Sequence, residues 1–373
     1  MAIQWYPGHM HKARREMAEA LAGVDALIEV RDARLPHSSA NPALAELGGA
    51  LPRLVVLTRS DLADPRVTAD WLAAIADRAG DDARAEGSGS TAPDAAGPLG
   101  ALALDLTDAD AARPVPGALD ALAGPAPASR EGPRTAMVVG IPNVGKSTLA
   151  NRLAGRAVAA TGDEPAVTKR QQTVRLAGAA GGRWRLRDTP GVLWPNVANP
   201  RAGYRLAASG AVRDTATDSS DVALALVGFL DERYPEALPG RYGPALAPAP
   251  GVRGDDAEHK GGGPAGHDGG HGNADGGAHE ARALAALEAI GRARGCLAGG
   301  GLVDFDRAAR VLLGDFRAGR LGRLTLETPE IAARERAWTE ARTVELAASR
   351  EAKREARRAR RKRAAGARRG GGA

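Results

Sequence analysis

Short apolar runs alternate with polar and helical stretches over the first half of the chain. Val24–Val30 (VDALIEV) and Leu54–Leu57 (LVVL) are bounded by polar residues, the pattern of buried parallel strands. Leu99–Leu106 predicts a further strand, and Asn41–Leu47 predicts a brief helix. Thr135–Gly140 (TAMVVG) predicts a strand that runs straight into a glycine-rich turn. This alternation predicts an α/β fold with a mostly parallel sheet and helices on both faces.

The later part of the chain changes to a helical pattern. Lys146–Leu153 predicts a helix, and Gln172–Leu176 with Trp184–Arg187 predicts a strand pair leading to Asp188. Further helices are predicted over Arg201–Val212, Asp218–Tyr234, Ala281–Arg294 and Asp306–Phe316. Pro329–Ala364 suits a long, highly charged helix, because proline is well placed in a first turn.

Stretches rich in small and turn-forming residues mark the boundaries between these parts. Residues 80–98 predict a flexible insertion, residues 240–280 predict a disordered one, and Pro114–Pro133 reads as a connector. We therefore divide the chain into an α/β domain at 1–200, a small α-helical domain at 201–328, and a charged helix with a basic tail at 329–373.

Composition limits the kind of core and the compartment. Hydrophobic residues make up 43% of the chain but aromatic residues only 3%, so the core must consist mainly of Leu, Val and Ala. A single cysteine, Cys296, cannot form an internal disulfide and fits a reducing compartment as a small buried residue. The N-terminus lacks the order of a signal peptide, and no apolar run reaches about 18 residues. We expect a soluble, cytoplasmic protein, most simply a monomer.

Positive charge is concentrated at the C-terminus. Residues 350–373 hold eleven Lys/Arg and two Glu, a net +9 in a chain of net +6, so the preceding residues carry −3. The run Arg357–Arg363 favours contact with a polyanion such as RNA, although a solvated, partly disordered end is the simpler alternative. The segment has no apolar face that favours a membrane. Four histidines in the 240–280 stretch lack metal-ligand spacing, which favours a surface loop.

One glycine-rich loop has the spacing of a phosphate-binding loop. Gly140, Gly145, Lys146 and Ser147 satisfy the G-x4-G-K-S pattern between a predicted strand and a predicted helix. Glycines let backbone N–H groups surround the phosphates of a nucleotide, and the helix N-terminus favours their negative charge. Lys146 can reach the β- and γ-phosphates, and the Ser147 hydroxyl can ligate Mg²⁺.

A second element follows about forty residues later. Asp188 and Gly191 belong to an Asp-Thr-Pro-Gly sequence after a predicted strand. Asp188 can hold Mg²⁺ through water, and the Gly191 amide can contact a γ-phosphate. Thr168 lies in the intervening loop and is a candidate to close on Mg²⁺ when the γ-phosphate is present, although Thr161 and Thr173 are alternatives.

A guanine-reading sequence lies upstream of both elements. Thr58, Arg59, Ser60 and Asp61 follow the apolar strand Leu54–Leu57. A carboxylate there accepts hydrogen bonds from guanine N1–H and the 2-amino group, which adenine does not offer. Arg59 can lie flat over the base. The alternative is an ordinary strand-to-helix turn capped by Asp61. In most GTPases this element follows the phosphate loop, so its place about eighty residues before it indicates a permuted fold.

Five segments together resemble one known family. Trp5–Met10 (WYPGHM), Asp32–Pro36 (DARLP), Gly140–Thr148, Arg294–Leu297 (RGCL) and Gly319–Gly322 (GRLG) are similar to segments of the RbgA/YlqF family of ribosome-assembly GTPases. The likeness covers most of residues 1–330 apart from the two low-complexity stretches. In combination these motifs are highly specific.

The resemblance implies a circularly permuted GTPase that binds the maturing large ribosomal subunit, its rRNA and proteins, and helps a late assembly step. It implies Mg²⁺ and also K⁺, the latter held beside the phosphates by Asn143. The family has an apolar residue after Asp-Thr-Pro-Gly, here Val192, so another group must orient the attacking water. His9 is a candidate for that catalytic role, and a structural or RNA-contacting role is its alternative.

Combining the motifs and the resemblance gives a set of expected site residues. Three positions depart from the family: Thr58-Arg59 replaces Asn-Lys, Ala166 replaces a Gly, and Asp105-Leu106-Thr107 matches the segment near the guanine carbonyl poorly. The expected GTP-binding residues are Thr58, Arg59, Ser60, Asp61, Asn143, Val144, Gly145, Lys146, Ser147, Thr148 and Gly191, with Ser147, Thr168 and Asp188 on Mg²⁺.

Two other functions are compatible with parts of this pattern. A P-loop kinase or ATPase accounts for Lys146 but not for Asp61, and no second substrate site is evident. A nucleotide-regulated binding protein with negligible turnover accounts for the apolar Val192. Competition between ATP and GTP distinguishes a kinase or ATPase from a GTPase. GTP turnover distinguishes a binding protein with negligible turnover from a GTPase.

Overall fold

A computed structural model provides the three-dimensional structure of the 373-residue chain. The chain divides into two compact units, Met1–Thr328 and Pro329–Ala373, and we describe each by itself. The described residues are 19–41, 43–87, 98–126, 131–158, 172–176, 183–188, 199–212, 217–247 and 274–370.

The first unit contains a six-stranded sheet in the order β3-β2-β1-β4-β6-β5. Five neighbouring strands run parallel, and β5 pairs with β6 in the antiparallel sense. The predicted mostly parallel sheet is confirmed. The strands are β1 Ala26–Asp32, β2 Arg53–Thr58, β3 Leu99–Leu104, β4 Arg134–Val139, β5 Gln172–Arg175 and β6 Trp184–Asp188.

Ten α-helices lie within the described residues. They are α1 Ala43–Gly48, α2 Pro65–Gly87, α3 Val115–Ala123, α4 Lys146–Ala154, α5 Pro200–Ser209, α6 Ser219–Arg233, α7 Ala237–Tyr242, α8 Ala274–Ala293, α9 Phe305–Arg317 and α10 Pro329–Gly370. Short 3₁₀ turns occur at Pro244–Leu246 and Gly299–Gly301.

The helices differ from the sequence prediction in four places. Helix α2 continues through residues 80–87, where a flexible insertion was expected, because Ala, Arg and Glu in that stretch favour a helix. Helix α3 forms inside the predicted connector, since Pro116 occupies a first-turn position that needs no N–H. Helix α8 begins at Ala274, earlier than predicted. Residues 240–247, the first part of the predicted disordered insertion, belong to α7 and the 3₁₀ turn at Pro244–Leu246, because Tyr242 and Leu246 are buried in the core. Residues 88–97 and 248–273 of the predicted insertions lie outside the described residues.

Both faces of the sheet are covered by apolar side chains. Successive strand residues point to opposite faces, so Ile28 and Val138 belong to one buried cluster and Leu27 and Met137 to another. The first cluster includes Leu119 of α3 and Leu149 of α4, and the second includes Leu44 of α1. The sheet is therefore enclosed by helices on both faces, as expected for a parallel sheet.

The first cluster continues from the sheet into the helices after residue 200. Buried residues of α6, α8 and α9 join it without interruption, among them Leu226, Leu287, Leu312 and Phe316. Cys296 is buried in the same cluster as a free thiol. The residues predicted as two domains thus share one apolar core within Met1–Thr328.

The second unit, Pro329–Ala373, is built on α10, a helix of 42 residues. At about 1.5 Å per residue such a helix is roughly 60 Å long. Exposed pairs such as Arg342 with Glu345, 2.7 Å apart, lie along it. No helix in the described ranges is both long and apolar enough to cross a membrane.

One buried carboxylate links distant parts of the first unit. Glu327 accepts hydrogen bonds from the amides of His37 and Ser38 and from the Ser38 hydroxyl, all in the loop after β1. The Arg205 guanidinium of α5 donates to it at 3.1 Å, and both side chains are at most 1% exposed. The indole N–H of Trp71 donates to the Glu327 carbonyl at 2.9 Å. These contacts hold three segments against Glu327: the loop after β1, helix α5 and helix α2.

Replacing this carboxylate is expected to destabilise the fold. Glu327→Gln leaves the Arg205 charge buried without its counter-charge and turns an amide donor toward other donors, so we expect a loss of about 3–5 kcal/mol. Chemical denaturation followed by circular dichroism measures the change. Glu288→Gln is the control: it removes an exposed pair with Arg292 and should cost about 0.5 kcal/mol or less. Equal losses in the two variants would contradict the role assigned to Glu327.

Candidate nucleotide-binding site

The glycine-rich loop joins β4 to α4, the context that the sequence predicted. Gly140 has φ +153°, and a Cβ there would lie 2.4 Å from the Val30 carbonyl oxygen of β1. Gly145 caps the helix with φ 90°, in the left-handed region. Both positions therefore require glycine, one for close approach and one for its backbone conformation. The loop is fixed against the central strand of the sheet.

Lys146 and the two hydroxyl residues after it form the first turn of α4. Lys146 is 7% exposed, and its Nζ donates to the Ile141 carbonyl at 2.6 Å, across the loop. Ser147 and Thr148 are half-buried at the N-terminal end of the helix. The N-terminal end of a helix carries partial positive charge, so this turn is suited to a phosphate.

The predicted guanine-reading residues lie beside the phosphate loop. Thr58 ends β2, which is separated from β4 by β1 alone, and parallel strands end at one edge of the sheet. The Thr58 hydroxyl donates to the Val144 carbonyl at 2.6 Å. The Arg59 guanidinium donates to the Asn143 carbonyl at 2.7 Å. Two sequence elements about eighty residues apart thus form one continuous site.

Arg59 is held between two groups. Its guanidinium lies 3.2 Å from the Asp32 carboxylate as well as bonding the Asn143 carbonyl. Arg59 and Asn143 are the two non-glycine residues with positive φ in the described ranges, at 57° and 58°. Stacking of Arg59 on a guanine remains a prediction, because the contacts place the charged end of the side chain at the phosphate loop.

Asp32 is the buried residue that the motif analysis did not place in the site. It is 1% exposed, and its carboxylate accepts two bonds from the Arg34 guanidinium, at 2.8 and 3.0 Å. Burial alone raises the pKa of Asp32, but Arg34 and then Arg59 bring it below the usual value. Asp32 therefore stays ionised and able to hold Arg59. The sequence signal for this role is an aspartate and an arginine two residues apart at the end of an apolar strand.

Asp61 lies near a second acidic residue. Leu104 pairs with Thr58 across β2 and β3, which brings Asp105 next to the guanine-reading loop. Burial raises the pKa of Asp61, and the negative charge of Asp105 raises it further. Asp105 accepts from the Thr107 amide at 2.8 Å and from its hydroxyl at 2.6 Å, so the segment that matched the family poorly is an ordered turn.

The sheet also places the end of β6 at this site. Asp188 is the last residue of β6 and pairs with Val138 of β4, two residues before Gly140. Ser147 is the second residue of α4, on the other side of the loop. Hydroxyl and carboxylate oxygens are the donors that Mg²⁺ prefers, and Mg²⁺ commonly takes one or two protein ligands plus substrate phosphates. Within the described ranges no group of three or more His, Cys, Asp or Glu could hold a metal by itself.

Several expected residues cannot be located in this way. His9, Thr168, Gly191 and Val192 lie outside the described residues. Asn143 is described, and its side-chain nitrogen donates to the Gly210 carbonyl at 2.8 Å, just after α5. The contact joins the phosphate loop to the helical part of the unit.

A parallel sheet with the guanine-reading loop upstream of the phosphate loop defines a circularly permuted P-loop GTPase, which hydrolyses GTP and uses a divalent metal, typically Mg²⁺. The family model described as "50S ribosome-binding GTPase" matches residues 135–237. The fold is also similar to the GDP-bound structure of YlqF from T. maritima, with a TM-score of 0.50 at 19% identity over 85% of this chain and 100% of that one.

Curated relatives identify the particular family. The chain is 37% identical over 335 residues to "Ribosome biogenesis GTPase A" of Bacillus cereus, covering 88% of this chain and 95% of the relative. It is 37% identical over 329 residues to the protein of that name from Priestia megaterium, covering 88% and 98%. The chain belongs to the ribosome biogenesis GTPase A family, which confirms the resemblance found in the sequence.

The environment of Asp61 predicts a pH dependence of nucleotide binding. The predicted hydrogen bonds from guanine to Asp61 need the ionised carboxylate, and a raised pKa means that protonation begins at a higher pH than for an ordinary aspartate. Affinity for GDP should therefore fall on the acid side as the pH passes through this raised pKa. Asp105→Asn removes the second cause and should move the fall to lower pH.

Titration with a fluorescent GDP analogue across the acid range measures this shift. Asp110→Asn is the matched control, because Asp110 lies in the same connection and pairs with Arg113. An unchanged acid limb in Asp105→Asn would contradict the coupling between Asp105 and Asp61.

Proposed function

We propose that this GTPase binds the maturing large ribosomal subunit and acts at a late step of its assembly. One observation carries the proposal: the guanine-reading loop is hydrogen-bonded to the phosphate loop in a chain of the ribosome biogenesis GTPase A family. GTP closes the loop that carries Thr168, this state binds the ribosomal precursor, and hydrolysis to GDP releases it. The protein acts as a monomer in the cytoplasm.

The nucleotide occupies the edge of the sheet where β2, β4 and β6 end. Asp61 accepts from guanine, and Lys146 with the amides of the α4 first turn binds the phosphates. Ser147 ligates Mg²⁺, Asp188 binds it through water, and Thr168 completes the set when the γ-phosphate is present. Mg²⁺ neutralises charge on the β- and γ-phosphates. The Gly191 amide contacts the γ-phosphate, and His9 is the candidate that orients water.

Asn143 is the proposed K⁺ ligand. A carbonyl only accepts hydrogen bonds, so the atom of the Asn143 amide that faces the Gly210 carbonyl is the nitrogen. The other atom of the amide is therefore the oxygen, which is the proposed ligand. Carbonyl-type oxygens are the ligands that K⁺ takes in proteins. A cation beside the phosphates adds positive charge where negative charge develops during hydrolysis.

The proposed cation site predicts that GTP turnover depends on the salt. Turnover should be faster in KCl than in NaCl at equal ionic strength, and Asn143→Ala should lose this difference. Asn151→Ala is the control, because Asn151 lies on α4 and its side chain accepts from the Val158 amide. Steady-state phosphate release in the two salts is the measurement. Equal turnover of the unmodified protein in both salts would remove K⁺ from the proposal.

The basic end of α10 is the proposed contact with rRNA. Residues 350–373 carry a net +9, and neutralising phosphates with Lys and Arg releases counterions. Affinity should therefore fall steeply as salt rises. This term attracts any RNA, so the selection of a precursor depends on the remainder of the chain.

Sedimentation with large-subunit precursors tests the switch. More protein should co-sediment in a non-hydrolysable GTP analogue than in GDP, and the bound fraction should fall as KCl is raised. Asp61→Asn should abolish the difference between nucleotides, since it weakens guanine binding without altering the tail. Equal association of the unmodified protein in both nucleotides would contradict a nucleotide switch.

A further inference from the structure

Phe316 and Arg317 are adjacent residues at the end of α9. Each begins a separate series of contacts that leads to the nucleotide site. One route passes through the buried Asp32–Arg34 pair to the guanine-reading loop, and we name it the guanine-side arm. The other passes through the end of α5 to the phosphate loop, and we name it the phosphate-side arm. Both arms run entirely through described residues of the first unit.

The guanine-side arm begins at Phe316, whose ring lies against Arg34. The Arg34 guanidinium lies 4.9 Å from the centroid of this ring and donates to the Phe316 carbonyl at 3.4 Å. Arg34 is 1% exposed and makes a two-point contact with Asp32. The second oxygen of Asp32 also accepts from Arg59, at 3.2 Å. A displacement of Phe316 therefore shifts Arg59 as well, because breaking the buried ion pair of Arg34 and Asp32 between them is costly.

The phosphate-side arm begins at the neighbouring residue. The Arg317 guanidinium donates to the carbonyls of Ala207 and Ala208, both at 2.9 Å, at the C-terminal end of α5. The Ala207 carbonyl also accepts from the Gly210 amide at 3.1 Å, and a cation at this end of a helix is favourable. Gly210 follows directly, and its carbonyl accepts from the Asn143 side chain at 2.8 Å. Arg317 thus supports the backbone that holds the phosphate loop.

The arms meet where the backbone is strained. Arg59 donates to the Asn143 carbonyl at 2.7 Å, which closes a ring of contacts that begins and ends at α9. Arg59 and Asn143 are the two non-glycine residues with left-handed backbone in the described ranges. Such conformations persist where the surroundings enforce them, and they cluster at functional sites. Each arm supplies one of the side-chain contacts that hold these two residues.

We infer that the Phe316–Arg317 end of α9 is a positioning element for GTP turnover, holding Asn143 and Arg59 of the nucleotide site in their strained conformations. The contacts of these two residues reach the nucleotide-binding loops through Arg34 on one side and Gly210 on the other. A partner that displaces α9 changes the phosphate loop through these arms, and this gives the helical part of the chain control over hydrolysis.

Hydrogen–deuterium exchange of the nucleotide-free protein tests the inference without relying on turnover. Arg317→Ala should accelerate exchange in residues 140–148 by about three- to tenfold, while β1 and β2 keep their protection. Arg317→Lys should restore part of the protection, because an ammonium can still donate to one carbonyl. Arg310→Ala is the matched control, since Arg310 lies on the same helix in an exposed pair with Asp306.

Steady-state GTP hydrolysis supplies the second readout. Arg317→Ala should lower kcat by about three- to tenfold with a smaller change in KM, because bound GTP still engages Lys146. In the Asn143→Ala background the same substitution should lower kcat much less, since its route of action is already cut. Phe316→Leu, which keeps the carbonyl but removes the ring below Arg34, should loosen residues 58–61 more than residues 140–148.

Three results would overturn the inference. The first is equal exchange in residues 140–148 for Arg317→Ala and Arg310→Ala. The second is uniform acceleration over the whole first unit in Arg317→Ala, Arg317→Lys and Phe316→Leu alike, which indicates global destabilisation. The third is an undiminished effect of Arg317→Ala on kcat in the Asn143→Ala background. None of these results bears on ribosome binding, which the sedimentation experiment tests separately.

Discussion

Two hydrogen bonds to the backbone of the phosphate loop hold the nucleotide site together. Thr58 donates to the Val144 carbonyl and Arg59 to the Asn143 carbonyl. Both donors lie at the end of β2, a strand that is not adjacent to the phosphate-loop strand β4. A parallel sheet makes this possible because its strands all end at one edge. The predicted guanine-reading loop and the phosphate loop are therefore joined by these two hydrogen bonds, whatever the order of the two elements along the chain.

Buried ion pairs hold distant segments of this protein together, a role that large aromatic side chains have in many other proteins. Only 3% of residues are aromatic, yet Asp32 and Glu327 are each at most 1% exposed and each hold an arginine. A buried pair is costly to break once one partner is removed, so it fixes the segments that supply it. The loop after β1, α5 and the residues after α9 are fixed in this way around the nucleotide site.

Local patterns predicted most of the fold. Strands β1, β2 and β4 were found from apolar runs, and α4 from the phosphate-loop motif, because these signals depend on neighbouring residues alone. Helix α3 and the extension of α2 were missed because glycine- and alanine-rich segments carry weak periodicity. Asp32 lies in the Asp32–Pro36 segment that resembles the family, but its contact with Arg59 depends on tertiary structure that no local pattern describes.

The chemistry of the site could be written down from residue types and spacing, since a phosphate loop and a guanine-reading carboxylate each require particular residues in a particular local order. The position of Asp61 before Gly140 even revealed the permuted order of the fold. Tertiary structure alone decided which distant residues support those elements. The contacts of Arg34 with Phe316 and of Asn143 with Gly210 join positions 282 and 67 residues apart. Such pairings depend on how helices pack against the sheet, and packing is a property of the whole chain.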